Sequence, residues 1–396
     1  MAGLLDRLRR PVASRVKRAL AGDDVDALVQ RRDRRRLRWL ASETADPLAR
    51  FRAVRCLAEL VDPEAAPLFL GLLAEDAGEA PTATLRVAVE GLGRLRTESA
   101  GGPIRRLLNP ERPAQVQLAA ARALASIGRE EDWRAVRTWA VGATLLPDDR
   151  DLSDPPAGDL PDGTGLVMQV LQPLYADKAA KWWATKARSW LTSDDARPRI
   201  PAMEGADKIV AQQLRRSLSG LNGAEERRAL LHLGALARDR DRDLFAQRMP
   251  ARSALQALGL QGDPRSLDTL AAAATSAITP SDARDALRAL GRLGWRGAES
   301  TIAATRDRFD DDAVRVEAAF ALGEIGGEDA IRVLMDDLRK RPDRADPSDA
   351  EAAWIARALR RCGVRGREAI RGARTIAISK GERRRLERVA ELAGLP

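Results

Sequence analysis

Asp311–Leu338 reads DDAVRVEAAFALGEIGGEDAIRVLMDDL, and this stretch decides the fold. Apolar residues recur every three or four positions from Val314 through its first half, and the same spacing begins again at Ala330. Gly326 and Gly327 separate the two halves at a point where glycine ends a helix. The stretch therefore predicts two amphipathic helices joined by a tight turn, each with one apolar face to bury.

The same pattern recurs along the chain. Seven units share a leucine at one equivalent position, which we call the slot leucine and which is usually followed by Gly or Ala. Successive slot leucines are 32 to 37 residues apart within each half of the chain. These leucines are Leu57, Leu92, Leu124, Leu258, Leu290, Leu322 and Leu359. Residues 224–248 look like a degraded eighth unit. Because each hairpin must bury its apolar faces on its neighbours, the repeats predict an all-α fold, an α-solenoid interrupted near the middle.

At about 45–140 and 224–375 the sequence resembles the HEAT repeat family, in particular the short HEAT-like repeats named for phycobilisome lyases. The resemblance implies an armadillo-like superhelix of HEAT-like helical hairpins. It says little about activity, because this family includes transport receptors, phosphatase scaffolds, bilin lyases and a group of DNA glycosylases.

The repeats and their interruption predict five segments. These are basic N-terminal capping helices at 1–44, repeats at 45–140, a connector at 141–223, repeats at 224–375 and a C-terminal capping helix at 376–396. The connector combines an acidic loop at 146–165 with a tryptophan-rich helical stretch. Capping helices are expected because the end repeats of a solenoid need a polar outer side.

The tryptophan-rich stretch has two interpretations. In the first, its tryptophans are buried and form a hydrophobic core between the two repeat blocks. In the second, they form an aromatic and basic surface that binds nucleic-acid bases or a peptide. The second interpretation makes Lys181, Trp182 and Arg188 candidate binding residues.

The charge of the chain is concentrated at its ends. The chain of 396 residues carries a net charge of +9, with +7 in residues 1–40 and +8 in residues 339–396. The middle is therefore mildly acidic, which argues against one basic groove along the whole molecule.

Few residues suit catalysis or metal binding. His232 is the single histidine, and Cys56 and Cys362 lie far apart, so the usual zinc sites and Ser-His-Asp arrangements are excluded. No Gly-rich phosphate loop occurs. We therefore expect no metal, no cofactor and no enzymatic activity. The sequence also lacks a secretory leader and any apolar run of about 18 residues, which predicts a cytoplasmic protein without a membrane span.

The family resemblance also predicts where a partner would bind. In HEAT proteins the second helix of each hairpin lines the concave surface, so its exposed arginines would form a row. The candidates are Arg105, Arg106, Arg134, Arg137, Arg332, Arg371 and Arg374.

These features favour a non-catalytic scaffold that binds an acidic partner, most often a protein, through the concave surface and the basic ends. The alternative is a DNA-, RNA- or ribosome-associated protein with phosphate contacts at the basic ends. A HEAT-like DNA glycosylase and a bilin lyase-like protein are further alternatives. No glycosylase motif matches residue by residue, and the lyase hypothesis depends on repeat similarity alone.

Overall fold

The computed structural model describes residues 25–74, 81–142, 189, 212–216, 218–220, 223–236, 241–249, 251–339, 349–377 and 379–395. Every regular element within these ranges is helical. The helices of the first part are α1 (Val25–Arg31), α2 (Arg34–Glu43), α3 (Pro47–Glu59), α4 (Ala66–Ala74), α5 (Thr82–Arg94), α6 (Gly101–Arg105), α7 (Ala114–Ile127) and α8 (Glu130–Gly142).

The second part continues the numbering. Its helices are α9 (Gly223–Leu236), α10 (Arg242–Ala246), α11 (Arg252–Gln261), α12 (Leu267–Ser276), α13 (Pro280–Leu293), α14 (Glu299–Arg308), α15 (Asp312–Ile325), α16 (Gly327–Arg339), α17 (Asp349–Arg361), α18 (Gly363–Ile376) and α19 (Lys380–Leu392). We call α1–α8 the N-terminal block and α9–α19 the C-terminal block.

Local sequence sets the ends of the predicted hairpin α15/α16. Asp311 precedes α15, and its side chain accepts a hydrogen bond from the Val314 amide at 2.9 Å. Gly326 ends the helix with a φ of 67°, a backbone conformation that glycine adopts without steric cost. The hairpin predicted from the sequence is thus confirmed.

Eight such hairpins follow one another in the described residues, from α3/α4 to α17/α18, and the degraded unit forms α9/α10. The slot leucine of each of the seven regular units is buried in the first helix of its hairpin. Each first helix packs on the first helix of the next hairpin within its block. The prediction of an all-α solenoid of helical hairpins is confirmed.

Glycine brings neighbouring first helices unusually close. A Cβ placed on Gly259 would lie 2.8 Å from the Cα of Ala289, and one on Gly291 would lie 2.8 Å from the Cα of Ala321. By contrast, Gly71 in the second helix α4 has nothing within 4 Å of such a Cβ. Neighbouring first helices are packed more closely than neighbouring second helices. Our expectation that second helices line the concave surface stays a prediction.

The two blocks pack directly on each other. The Phe51 and Trp295 rings meet edge to face with centroids 5.9 Å apart. Arg86 of α5 donates hydrogen bonds to the carbonyls of Leu260 and Gln261, at 3.0 and 2.6 Å, near the end of α11. These contacts join first helices of the N-terminal block to the ends of first helices in the C-terminal block.

A buried carboxylate strengthens this junction. Glu324 of α15 accepts hydrogen bonds from the amides of Ala114 and Gln115 at 2.9 and 3.3 Å, and it pairs with Arg361. The Thr82 hydroxyl donates to the Glu324 carbonyl at 2.9 Å. First helices of both blocks therefore take part in the junction and are partly covered by the other block.

The last described helix, α19, packs on α17 and α18. Leu386, Val389 and Ala390 are buried, while Arg383, Arg384 and Arg388 point to solvent. The five proposed segments stay predictions, and residues 1–24 and nearly all of 143–211 lie outside the described part.

Candidate functional site: an arginine cleft

A cavity of about 1240 Å³ lies where the two blocks meet, and we call it the arginine cleft. Its N-terminal wall comes from α8 and from the segment that joins α6 to α7. Its C-terminal wall comes from the end of α17, the beginning of α18 and the residues Gly327 and Ile331 of α16. The cleft therefore exists only because the two blocks pack together.

Arginine dominates the charge of the cleft. Eight arginines line it against two glutamates, Glu111 and Glu131. The eight are Arg105, Arg106, Arg112, Arg134, Arg360, Arg361, Arg365 and Arg367. Because the guanidinium group is planar and holds carboxylate or phosphate through two parallel hydrogen bonds, this lining suits an anionic ligand.

Most of these arginines already have acidic partners. Arg105 pairs with Asp132, which is fully buried, and Arg134 pairs with Glu130 at 3.0 Å. Arg365 pairs with Glu328 at 2.6 Å. These local pairs hold the side chains in place at the rim of the cleft, and the exposed ones contribute little to stability.

Two arginines of the cleft differ from the rest. The guanidinium groups of Arg106 and Arg112 have no hydrogen-bond or ion-pair partner among the described residues. Arg106 is exposed and Arg112 is half-buried, so both can contact a ligand that enters the cleft. An acidic ligand can therefore form ion pairs with these two arginines without breaking an existing pair.

The remaining lining is mostly apolar and holds no reactive group. Trp139 is almost buried, and its indole N–H donates to the Gln117 side-chain oxygen at 2.8 Å. Burial raises the pKa of the Cys362 thiol to about 12, although the charge of Arg361 opposes that shift. Cys362 is therefore a neutral thiol at physiological pH, and its thiolate is not available as a nucleophile.

The predicted arginine row divides into two groups. Arg105, Arg106 and Arg134 line the cleft, whereas Arg137, Arg332, Arg371 and Arg374 do not. Arg332 is exposed and pairs with Asp329 on its own helix at 2.7 Å. Lys181, Trp182 and Arg188 lie outside the described residues, as does the acidic loop at 146–165.

Sequence reasoning missed five of the eight cleft arginines. They lie near helix ends and turns, whereas our prediction considered exposed positions of second helices. The five are Arg112, Arg360, Arg361, Arg365 and Arg367. The sequence feature that could have indicated the C-terminal wall is the arginine-rich run Arg360–Arg367, which reads RRCGVRGR. Nothing in the sequence, however, places that run beside Arg106 and Arg112.

The helical hairpins define the molecule as an α-solenoid. Residues 314–336, which belong to the hairpin α15/α16, match the family model described as PBS lyase HEAT-like repeat. The match covers this one hairpin and is consistent with a HEAT-like repeat fold. A comparison with curated protein sequences gave no match.

Two further properties of the described part of the chain are relevant to function. It holds no group of three or more His, Cys, Asp or Glu side chains arranged to bind a metal ion. Among the same residues, no helix is long and apolar enough to cross a membrane.

Proposed function

We propose that the protein is a non-catalytic HEAT-like scaffold that binds an acidic segment of a partner protein in the arginine cleft. The observation that carries this proposal is the convergence of eight arginines from both blocks on one cavity. Arg106 and Arg112, whose guanidinium groups lack partners among the described residues, would supply the strongest new contacts.

The shape and lining of the cleft favour a peptide segment. Its volume of about 1240 Å³ exceeds the range of roughly 300–1,000 Å³ that is usual for small-molecule sites. Trp139, Ile331 and Val364 add apolar surface beside the guanidinium groups. An acidic peptide with apolar side chains would match both kinds of lining, whereas a phosphate backbone would match only the charge.

Charge reversal in the cleft tests this proposal. We expect the double variant R106E/R112E to bind a short fluorescein-labelled polyglutamate peptide at least about tenfold more weakly than wild type, because two charge-assisted contacts become repulsive. Fluorescence anisotropy across a salt series measures the affinity. R332E is the control outside the cleft, since Arg332 is exposed and does not line it.

The outcomes separate the hypotheses. An equal loss in R332E would support the wider arginine row, and unchanged binding by R106E/R112E would rule out the cleft. The same titration with poly-U and poly-dT addresses the nucleic-acid alternative. Tighter binding of either polymer than of the peptide at physiological salt, with a steep salt dependence, would favour that alternative.

A further inference from the structure

A carboxylate supplied by the protein itself already occupies part of the arginine cleft. Glu111 lies in the turn between α6 and α7, where the Asn109 side-chain oxygen accepts a hydrogen bond from the Glu111 amide at 2.9 Å. The amide of Arg112 donates to the Asn109 carbonyl, also at 2.9 Å. This turn fixes the backbone that presents Glu111 to the cleft.

The groups that hold Glu111 belong to the other block. Nη1 of Arg367 lies 3.1 and 3.0 Å from the two carboxylate oxygens of Glu111, and Nη2 of Arg360 lies 3.5 Å from one of them. Glu111 and Arg367 each keep 30% of their side-chain surface exposed, and Arg360 keeps 38%. Water and a ligand can therefore reach the ion pair.

We infer that Arg360 and Arg367 form a carboxylate-binding subsite of the cleft, and that Glu111 occupies this subsite as an internal competitor. An aspartate or glutamate side chain of the partner binds there by exchange with Glu111. This inference rests on the function proposed above, and it identifies the residue that sets the affinity of the cleft for acidic segments.

The environment of Glu111 allows such an exchange. Solvent-accessible ion pairs contribute little net stability. The free-energy cost of releasing Glu111 is therefore small, and binding of the partner's carboxylate offsets it. A partner segment that replaces Glu111 at Arg367 also comes close to Arg106 and Arg112, whose guanidinium groups have no partner in the described ranges. Exchange therefore keeps the charge of the subsite balanced and adds contacts that Glu111 alone does not make.

The neighbouring carboxylate Glu324 provides a contrast. The pair of Glu324 with Arg361 is almost completely buried, and two backbone amides of the other block also donate to Glu324. Removing that carboxylate would leave several buried donors unsatisfied, which costs more than releasing a partly exposed pair. Glu324 is therefore a fixed structural group, whereas Glu111 is exchangeable.

The test compares E111Q with wild type. We expect E111Q to bind the labelled polyglutamate peptide about two- to fivefold more tightly, because the competing carboxylate is lost. E391Q is the matched control, since Glu391 pairs with Arg388 on the surface of α19 and lies outside the cleft. E391Q changes the net charge equally and should leave the affinity unchanged.

A second pair of variants tests the subsite itself. R367Q should bind the peptide more weakly than wild type, and E111Q added to R367Q should no longer tighten binding. Thermal unfolding of each variant reports whether the junction of the blocks stays intact.

The outcomes distinguish the inference from the proposed function. If wild type binds the peptide and E111Q binds no more tightly, the exchange is wrong and the scaffold proposal stands. If neither protein binds, both are wrong. If E111Q mainly lowers the unfolding temperature without tightening binding, Glu111 is a structural link between the blocks, and the exchange is again wrong.

Discussion

At the residue scale, the side chain of Glu324 determines how the blocks meet. It pairs with Arg361 inside the C-terminal block and accepts amide hydrogen bonds from Ala114 and Gln115 of the N-terminal block. Burial raises the pKa of Glu324, whereas the charge of Arg361 and the hydrogen bonds from both amides oppose that rise. A polar group in such a place stabilises the fold only while all its partners remain.

This contact gives a prediction about stability. We expect E324A to lower the free energy of unfolding by about 3–5 kcal/mol, because it leaves the Arg361 charge buried without its carboxylate. E324Q should cost less, since its amide oxygen still accepts from the backbone of α7. Urea denaturation measures both values. A loss below about 1 kcal/mol for E324A would show that the junction tolerates an unpaired charge.

At the element scale, the spacing of the first helices depends on glycine. Gly291 of α13 faces Ala321 of α15, and a Cβ on Gly291 would also lie 3.1 Å from the Phe320 ring. Backbone atoms cannot move aside as a flexible side chain can. The helical hairpin is therefore specified by apolar periodicity, while the distance between hairpins is specified by residues without a side chain.

Two glycine-to-alanine variants test this point. G291A should lower the free energy of unfolding by about 1–3 kcal/mol through overpacking, despite the better helix propensity of alanine. G71A should raise it by about 0.5–1 kcal/mol, because Gly71 is exposed in the middle of α4 and has open space around it. Thermal unfolding measures whether each variant is more or less stable than wild type. Stabilisation by G291A would mean that the first helices are less closely packed than the structure shows.

At the scale of the whole molecule, the two blocks form one packed unit. Arg86 crosses between them and donates to two buried carbonyls near the end of α11. Burial lowers the pKa of Arg86 to about 10, and Glu90 opposes that shift, so the guanidinium stays charged at neutral pH. Its hydrogen bonds couple the stability of one block to that of the other.

The variant R86L tests this coupling. We expect it to lower the free energy of unfolding by about 1–3 kcal/mol, because buried carbonyls lose their donor. Hydrogen exchange should then show weaker protection in both α5 and α11, which lie in different blocks. Weaker protection in α5 alone would show that the blocks open independently.

The sequence predicted only part of the arginine cleft, because the cleft depends on how the two blocks pack in the whole molecule. Arg105, Arg106 and Arg134 could be selected from the sequence because the resemblance to HEAT repeats made the arginines of second helices candidates, and these arginines recur from repeat to repeat. Arg360 and Arg367 could not be linked to them, since about 250 residues separate the two walls. That proximity depends on the packing of the two blocks, which no periodicity encodes.

The sequence by itself determined the repeated hairpin, its turns and its buried leucines, because these follow from local apolar spacing and from residues such as Asp311 and Gly326. Only the tertiary structure decided how closely neighbouring first helices approach each other and that first helices of the two blocks meet. The physical reason is that close glycine contacts and polar groups such as Arg86 and Glu324 gain their partners only when distant repeats pack together.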